Sequence, residues 1–545
     1  MPQRPLPRKE TRLDSLEARR LLSFSGGTPA TLVGEGYESI DRVLALSDGG
    51  YVAAGLFRKT KFTDKGKLRS SADQSDAYVT RVGPDGAVMW TRVFASDWET
   101  KLQQRTKSGD LIDFPSNPAR AGEPFVLGTS DQPQQPGEII TGLAEAPDGS
   151  IVIGGAFLGK INLDVATFET SDDFYDGFVA RLNGATGATN RAFTIAGDFN
   201  DVVTDVKVDS VGSVIVAGSF ERHTDFNPGK AKYIVDPKGR GDGFIAKFSA
   251  NDKLVWLTPI GSDSVERSEV EAVNSIALDA AGNVYATGTF AYITDFDPGK
   301  GVSEVRADGI TDSFTAKYNA DGSLGWARTQ GGDRFDGGRV VAVASNGQVY
   351  SAGYFQRDVK LNPDAPSVNF SEISDRDGRT GNRDDVFFTS FNSDGSVRWV
   401  RQLGGKDYDL VSGIAVDNSG NVVLSGSFTD TVDFDPSKRR LALTSPQGDN
   451  IPDANTGDRD RAYSGFVATY SPRGYLVNAK QIDGKFGQDL FASGMSLGSD
   501  GRLVVAGRFL GGITSPQIDG LDITISTKPR GREDGFLIQV IDGAV

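Results

Sequence analysis

The sequence predicts an all-β protein, a seven-bladed β-propeller with four-stranded antiparallel blades, and three observations support this prediction. One motif, in which Gly, five residues, Gly, one residue and Phe follow each other, occurs seven times along 545 residues. Within each copy, apolar and polar residues alternate with the period of two that is typical of β-strands. A single four-stranded meander cannot bury both of its faces, whereas seven meanders in a ring can. One ring therefore replaces the three or four domains that the length alone suggests.

The Gly–Phe motif keeps the same internal spacing in every copy. We expect its first Gly to supply the positive φ of a tight turn between strands A and B of a blade. We expect its second Gly to mark crowding or a bulge late in strand B. The seven copies are Gly49-Gly55-Phe57, Gly149-Gly155-Phe157, Gly212-Gly218-Phe220, Gly282-Gly288-Phe290, Gly347-Gly353-Phe355, Gly420-Gly426-Phe428 and Gly501-Gly507-Phe509.

A second signature, Asp followed two positions later by an aromatic residue, marks the start of strand C. We expect this Asp to cap a turn or to accept a neighbouring backbone amide. Only the sixth copy departs from the pattern, because Ser464 stands where the others have Asp76, Asp176, Asp242, Asp312, Asp385 and Asp534. Four Trp residues share one position in strand D, where they indicate packing at the outer edge: Trp90, Trp256, Trp326 and Trp399.

The two ends of the chain are predicted to close the ring together. The seventh copy ends after strand C, and a spare segment precedes the first strand A, so Thr31–Val33 would supply the missing strand D. Such pairing removes an open sheet edge. We thus expect a basic leader over residues 1–23 and one propeller over 24–545. Its repeats span 34–95, 138–197, 198–262, 263–332, 333–405, 406–484 and 485–545, with an insertion at 96–137.

The repeats resemble the SBBP β-propeller repeats of bacterial surface and secreted proteins. The segments that carry the resemblance are "SIALDAAGNVYATGTFAYITDFDPG" (275–299) and "GIAVDNSGNVVLSGSFTDTVDFDPS" (413–437). The segment "LDSLEARRLLS" (13–23) resembles the LEPR-XLL motif of exported planctomycete proteins, with Ala18 where Pro is common. Both resemblances imply an extracellular or cell-surface location. No conventional signal peptide is visible, because no apolar stretch follows the basic residues.

Composition excludes several kinds of site. Cys is absent, which removes disulfides and thiolate chemistry, and His223 is the single histidine. The net charge of −15 argues against a nucleic-acid surface, since residues 1–23 carry +3 and the remainder carries −18. No apolar run is long enough to span a membrane. No nucleophile elbow, P-loop or zinc motif occurs, and His223 lies in a polar loop as a bystander.

The length variation of the repeats lies on one face of the predicted ring. The A–B turns are uniformly tight, whereas the step from the strand-B Phe to the strand-C aromatic ranges from 21 to 38 residues. The longest D–A connection, roughly 96–137, lies on the same face as these B–C loops. Because variable loops on a rigid scaffold commonly bind ligands, we expect the functional surface on this loop face, centred on blades 5, 6 and 1.

Acidic loops on this face suggest Ca²⁺ sites, Ca²⁺ being the one cofactor the sequence suggests. In blades 3, 4 and 6 the motifs "DFNPG", "DFDPG" and "DFDPS" offer Asp225, Asp295, Asp297, Asp433 and Asp435 as oxygen ligands. The alternative is an Asx-turn with an inward Phe. Blade 6 adds Asp453, Asn455, Asp458 and Asp460 in "DANTGDRD", and blade 5 has a similar run with Asp375, Asp377, Asn382 and Asp384. Both runs could instead be solvated polar insertions.

Three functions fit these observations. The first is a non-enzymatic, monomeric extracellular propeller that binds a protein or glycan on its loop face, with or without Ca²⁺. The second is a structural surface protein without a defined ligand. The third is a carbohydrate-active hydrolase that uses paired acids on the loop face. Propellers host all three kinds of function, so the fold by itself does not choose between them.

Overall fold

The computed structural model describes the segments that form the ring. They are residues 22–23, 30–32, 39–58, 75–94, 137–171, 174–262, 271–297, 299, 301–362, 364–365, 370–371, 384–405, 408–435, 440–452, 459–483, 489–510, 517–518 and 533–540. Within these segments the regular elements are all β-strands, and they form seven antiparallel blades. The predicted all-β, seven-bladed propeller is confirmed.

The strands follow the chain in blade order. Two short strands, β1 (Leu22–Ser23) and β2 (Ala30–Leu32), precede blade 1. Blade 1 contains β3 (Arg42–Ala45), β4 (Tyr51–Arg58), β5 (Ser75–Val82) and β6 (Val88–Phe94). Blade 2 contains β7 (Glu138–Glu145), β8 (Ile151–Phe157), β9 (Lys160–Asn162), β10 (Thr167–Glu169), β11 (Asp176–Leu182) and β12 (Thr189–Ile195). Blade 3 contains β13 (Val202–Val208), β14 (Val214–Phe220), β15 (Thr224–Asp225), β16 (Ile234–Val235), β17 (Asp242–Phe248) and β18 (Leu254–Ser262).

Blades 4 to 7 repeat this plan. Blade 4 contains β19 (Ala272–Leu278), β20 (Val284–Phe290), β21 (Ile293–Asp295), β22 (Glu304–Arg306), β23 (Asp312–Tyr318) and β24 (Leu324–Gly332). Blade 5 contains β25 (Gly337–Val343), β26 (Val349–Phe355), β27 (Asp358–Lys360), β28 (Phe370–Ser371), β29 (Asp385–Phe391) and β30 (Val397–Leu403). Blade 6 contains β31 (Asp409–Val416), β32 (Val422–Phe428), β33 (Thr431–Asp433), β34 (Ala442–Thr444), β35 (Gln447–Pro452), β36 (Arg459–Arg461), β37 (Ser464–Tyr470) and β38 (Leu476–Asp483). Blade 7 contains β39 (Leu490–Leu497), β40 (Leu503–Leu510), β41 (Gln517–Ile518) and β42 (Glu533–Val540).

The hydrophobic core is divided among the junctions between blades. The first strand of each blade contacts the first strand of the blade before it and of the blade after it, so these strands surround the axis. Each of the seven junctions buries its own apolar cluster. In the cluster between blades 3 and 4, for example, Ile215 and Ile245 of blade 3 pack against Ile276 and Val284 of blade 4. Each blade is therefore stabilised through its two neighbours, and the ring must be closed.

Closure occurs as the sequence predicts. Strand β2 pairs antiparallel with β42, with Ala30 opposite Leu537, Thr31 opposite Phe536 and Leu32 opposite Gly535. The paired strand begins one residue earlier than the predicted Thr31–Val33. Beyond β2, Leu22–Ser23 add β1 as a fifth strand of blade 7. The rest of the predicted leader and the insertion up to residue 136 lie outside the described residues.

Both glycines of the repeated motif have the predicted conformational role. Gly212 of the A–B turn in blade 3 has a φ of 83°, and its six equivalents have φ between 76° and 84°. Gly218, the second glycine, lies so close to strand A that a Cβ atom there would be 1.9 Å from the carbonyl oxygen of Val202. Only glycine fits such a close backbone approach.

The strand-D tryptophans of blades 1, 3, 4 and 5 each join their blade to the next one. Trp256 Nε1 of blade 3 donates to Ala320 O in the C–D turn of blade 4, at 3.1 Å. Its ring covers Gly322, where a Cβ atom would lie 2.9 Å from the indole. Equivalent bonds, 2.8 to 3.1 Å long, run from Trp90 to Gly184, from Trp326 to Ser393 and from Trp399 to Pro472. The predicted edge packing is thus a contact between blades, which we call the Trp–Gly latch.

Candidate binding surface on the loop face

Short hairpins built from the B–C connections cover the loop face of blades 2 to 6. Several of them also pair with strand D of the preceding blade. In blade 4, Asp295 and Thr294 of β21 lie opposite Gly261 and Ser262 of β18. In blade 5, Lys360 of β27 lies opposite Gly331 of β24. These hairpins therefore connect adjacent blades through strand pairing on the loop face.

The acidic motifs predicted as Ca²⁺ ligands form the bends of these hairpins. Asp295 Oδ1 accepts the amides of Asp297 (3.0 Å) and Ser303 (2.9 Å). The carboxylates of Asp225 and Asp433 each accept the equivalent pair of amides at 2.9 to 3.1 Å. The Phe between the two polar positions is fully buried at Phe226 and Phe296. This is the Asx-turn geometry that the sequence offers as the alternative to a metal site.

The remaining oxygens of these carboxylates lie near basic side chains. Lys238 Nζ is 3.7 Å from Asp295 Oδ2, and Arg440 Nε is 3.8 Å from Asp433 Oδ2. In the described part of the chain, no three His, Asp or Glu side chains converge as a metal-ion cluster. Asp453, Asn455 and Asp458 lie outside the described residues, and Asp460 lies in β36. Calcium binding therefore stays a prediction.

The similar acidic run in blade 5 is described only at its last residue. Asp375, Asp377 and Asn382 lie outside the described residues. Asp384 is fully buried, and its Oδ1 accepts from Gln356 Nε2 at 2.6 Å. Asp384 thus has a structural contact within blade 5. We expected the functional surface to be centred on blades 5, 6 and 1, and of the long loops there, those at 59–74, 95–136 and 372–383 also lie outside the described residues.

A backbone feature repeats at the start of every described hairpin. The residue two positions after the strand-B Phe has a positive φ in blades 2 to 6. Blade 2 has Gly159 there, but the other four blades have Arg222, Tyr292, Arg357 and Asp430, with φ between 55° and 61°. We call these four residues the positive-φ residues of the loop face. A non-glycine residue in this conformation costs about 1 kcal/mol, so their side chains merit a functional explanation.

An aromatic cluster lies beside Arg222, the first of these positive-φ residues. Phe174 and Phe199 stack with their ring centroids 4.6 Å apart, and the guanidinium carbon of Arg222 lies 4.3 Å from the centroid of Phe199. Next to them, Asn200 Nδ2 donates to Glu221 Oε1 at 3.4 Å. Burial raises the pKa of Glu221, and the charge of Arg222 counteracts part of this rise. The cluster combines aromatic surface, a guanidinium, an amide and a carboxyl group.

Exposed apolar side chains lie on the hairpins of blades 2, 3, 4 and 6. Val165 of blade 2, Tyr233 of blade 3 and Val302 of blade 4 expose 51%, 52% and 74% of their surfaces. Ile234 and Leu441 are also exposed large apolar residues on the hairpins. His223, in contrast, pairs with Asp236, and both side chains are largely exposed. The described loop face thus exposes apolar side chains that a ligand could contact. His223 is paired with the exposed carboxylate of Asp236.

Sequence reasoning did not find this cluster. Phe174, Phe199 and Arg222 lie in three different connections, and no spacing rule joins them. The one available signal was Arg222, which replaces Gly159 at the same distance from the strand-B Phe. Recognising that signal requires the backbone φ, which the sequence pattern does not give.

The comparisons with known proteins agree with the repeat architecture. The family model of the SBBP β-propeller repeat matches residues 398–427, which run from strand D of blade 5 to strand B of blade 6. The chain carries the SBBP repeat. The resemblance inferred from the sequence is thereby confirmed, and the LEPR-XLL resemblance stays a prediction.

Two curated relatives and one solved structure illustrate the range of similar proteins. A WD repeat-containing protein, L264, of Acanthamoeba polyphaga mimivirus is 22% identical over 371 residues, which cover 59% of this chain and 25% of that protein. The regulatory protein FlaEY of Caulobacter vibrioides is 24% identical over 272 residues, covering 48% and 26%. Hydrazine synthase of Kuenenia stuttgartiensis is 10% identical, covers 89% of this chain and 96% of its own, and has a TM-score of 0.39. The chain spans about a quarter of the length of the curated relatives it matches.

The similar proteins include both an enzyme and a regulatory protein. A propeller scaffold can carry sites of different kinds, so the fold alone does not fix an activity. Among the described residues, no helix is long and apolar enough to cross a membrane.

Proposed function

We propose that this protein is a non-enzymatic β-propeller of the cell exterior that binds a protein or glycan ligand on its loop face. The observation that carries the proposal is the aromatic–arginine cluster of Phe174, Phe199 and Arg222. It lies on the face where connections vary in length, and Arg222 keeps an unfavourable backbone conformation there. An extracellular location rests on the resemblance of the repeats to those of surface and secreted proteins.

The chemistry of the cluster suits a ligand that has both apolar and hydroxyl-bearing or amide-bearing surface. Aromatic rings and exposed Tyr233 offer apolar contact, and aromatic and Arg residues supply most of the binding energy at many interfaces. The Arg222 guanidinium and the Asn200 amide can exchange hydrogen bonds with hydroxyl or carbonyl groups. The overall charge of −15 makes a polyanion an unsuitable ligand.

The test is a glycan array together with a pull-down from a cell-surface fraction, each performed with wild type and with Arg222→Gly. The substitution relieves a positive φ, worth about 1 kcal/mol, and removes a cation–π contact of about the same size. Its stability should therefore stay within about 1 kcal/mol of wild type, while affinity falls at least tenfold, about 1.4 kcal/mol.

A matched control exists on the opposite face. Asp252, in the C–D turn of blade 3, also has a positive φ, 59°. Asp252→Gly should leave ligand binding unchanged. The proposal fails if wild type binds no glycan and captures no protein, or if Arg222→Gly and Asp252→Gly bind as well as wild type.

A further inference from the structure

Pairs of acidic residues recur at the junctions between blades. One acid begins strand C of a blade, and the other precedes or begins strand A of the next blade. Between blades 4 and 5 these acids are Asp312 and Asp336, and the amide of Asp336 donates to Thr311 O at 2.9 Å. The same backbone bond places Asp201 beside Asp176 (2.7 Å) and Asp409 beside Asp385 (2.8 Å). Glu271 and Asp242 form the corresponding pair between blades 3 and 4.

The acids of the blade 4–5 pair are buried and held by backbone amides. Asp336 is fully buried and Asp312 is 4% exposed. Asp336 Oδ1 accepts from Gln356 N at 3.0 Å, and its Oδ2 accepts from Gly332 N at 2.6 Å. Asp312 Oδ2 accepts from Asp308 N at 2.9 Å, whereas Asp312 Oδ1 is buried without a hydrogen-bond donor among the described residues. Backbone amides thus hold both oxygens of Asp336 in place.

The charges around this pair favour retention of a proton. Asp308 and Asp333 add negative charge, and Lys360, whose Nζ donates to Asp308 at 3.0 Å, counteracts part of this effect on Asp312. Burial raises the pKa of Asp312 to about 7 and the pKa of Asp336 well above its usual range; the charge of Asp308 raises the pKa of Asp312 further, the charges of Asp312 and Asp333 raise that of Asp336, and the backbone amides counteract part of both rises. When two buried carboxylates share a site, the pKa of at least one of them is raised, which favours retention of a proton near neutral pH.

One junction shows that the fold does not need these acids. Between blades 6 and 7, Ser464 and Leu490 occupy the two positions, and the amide of Leu490 still donates to Tyr463 O at 2.9 Å. Both positions lose their acid while the backbone contact stays, and Asp489, one residue before Leu490, accepts the amide of Tyr463 at 2.8 Å. The acid pairs therefore add a property that the Ser–Leu junction lacks.

We propose that the buried pair Asp312 and Asp336 makes ring stability depend on pH, with the protonated pair holding blades 4 and 5 together in acid and the ionised pair loosening their junction at and above neutral pH. The sign follows from linkage: a group whose pKa is raised by folding stabilises the folded state fully below its unfolded pKa, and this contribution is lost as the pH rises to the folded value. For Asp312 the window runs from 3.8 to about 7. Each retained proton changes the folding equilibrium constant up to about tenfold per pH unit in this window.

The test is urea denaturation of the full chain between pH 5 and pH 8. Asp312→Ser combined with Asp336→Leu copies the junction between blades 6 and 7. Asp312→Asn is a second variant in case the double variant does not fold. The control is Asp321→Asn, which removes the same charge from an exposed C–D turn.

Wild type and Asp321→Asn should lose stability with the same slope as the pH rises. In both junction variants the folding equilibrium constant should change less with pH than in wild type, and the difference should be up to about tenfold per pH unit. Hydrogen exchange should also show that the Gly332 and Gln356 amides lose protection in wild type above pH 7, after correction for intrinsic rates. Equal slopes in all four proteins, or unchanged protection of these amides, would overturn the proposal.

Discussion

The junction between blades 2 and 3 has other residues in place of the Trp–Gly latch, and two substitutions could introduce the latch there. Blade 2 has Arg191 at the position of the strand-D Trp, and its Nη1 donates to Ala250 O, the equivalent of the Ala320 carbonyl that Trp256 binds. Asp252 replaces the turn glycine and lies 3.7 Å from Arg191 in an ion pair. Because the carbonyl acceptor is already in place, Arg191→Trp combined with Asp252→Gly should rebuild the latch.

The expected gain follows from the contacts exchanged. Asp252→Gly removes a non-glycine positive φ, about 1 kcal/mol. A buried aromatic ring adds about 1.5–3 kcal/mol, and Trp326 at the equivalent position is only 9% exposed. Loss of the ion pair costs about 0.2–1 kcal/mol, since Arg191 is half-exposed. The double variant should therefore be about 1.5–4 kcal/mol more stable than wild type.

The two substitutions should be strongly coupled. Arg191→Trp alone would press the indole against the Cβ of Asp252, as the 2.9 Å approach at Gly322 shows, and overpacking of this kind costs about 1–3 kcal/mol. Urea denaturation of wild type, both single variants and the double variant gives the coupling energy, which we expect to be at least about 2 kcal/mol. Additive effects would refute the latch, and so would an Arg191→Trp single variant as stable as the double variant.

Two further predictions concern the hairpins and the ring closure. Asp295→Ala should lower the free energy of unfolding by about 1–2 kcal/mol because two backbone amides lose their acceptor, whereas Asp295→Asn should retain most of the stability. A metal site instead of an Asx-turn would be established if Asp295→Asn matched the stability of wild type in EDTA but fell below it in millimolar Ca²⁺, and if calorimetry detected Ca²⁺ binding to wild type. Deleting residues 24–36 removes β2 from blade 7 and should lower the melting temperature markedly, and an unchanged melting curve would contradict closure by this strand.

The sequence was sufficient for the fold because each blade repeats its local chemistry. A positive φ at Gly212 and close backbone contact at Gly218 both follow from glycine at fixed spacing. Even the closing strand could be placed to within one residue, since the last copy lacks strand D. The expected bond from the strand-C Asp to a nearby amide is also present, because Asp242 accepts from Lys238 N at 3.1 Å.

Contacts between blades were harder to predict from the same patterns. Trp256 and Ala320 are 64 residues apart, and an internal repeat alone cannot tell whether a side chain turns to its own blade or to the next. The sequence therefore indicated edge packing for Trp256 where the structure has a latch. The aromatic–arginine cluster was missed for a related reason, because Phe174, Phe199 and Arg222 meet only after two blades are docked.

Differences between the repeats occur in pairs, with one residue on each side of a junction between two blades. Where Arg191 replaces Trp, Asp252 replaces Gly on the other side of the same junction. Where Ser464 replaces the strand-C Asp, Leu490 replaces the facing acid. In each case two residues far apart in sequence change together and the backbone contact is retained. Exchanging a whole junction pair should therefore preserve the ring, whereas exchanging one member should leave a clash or a buried group without its partner.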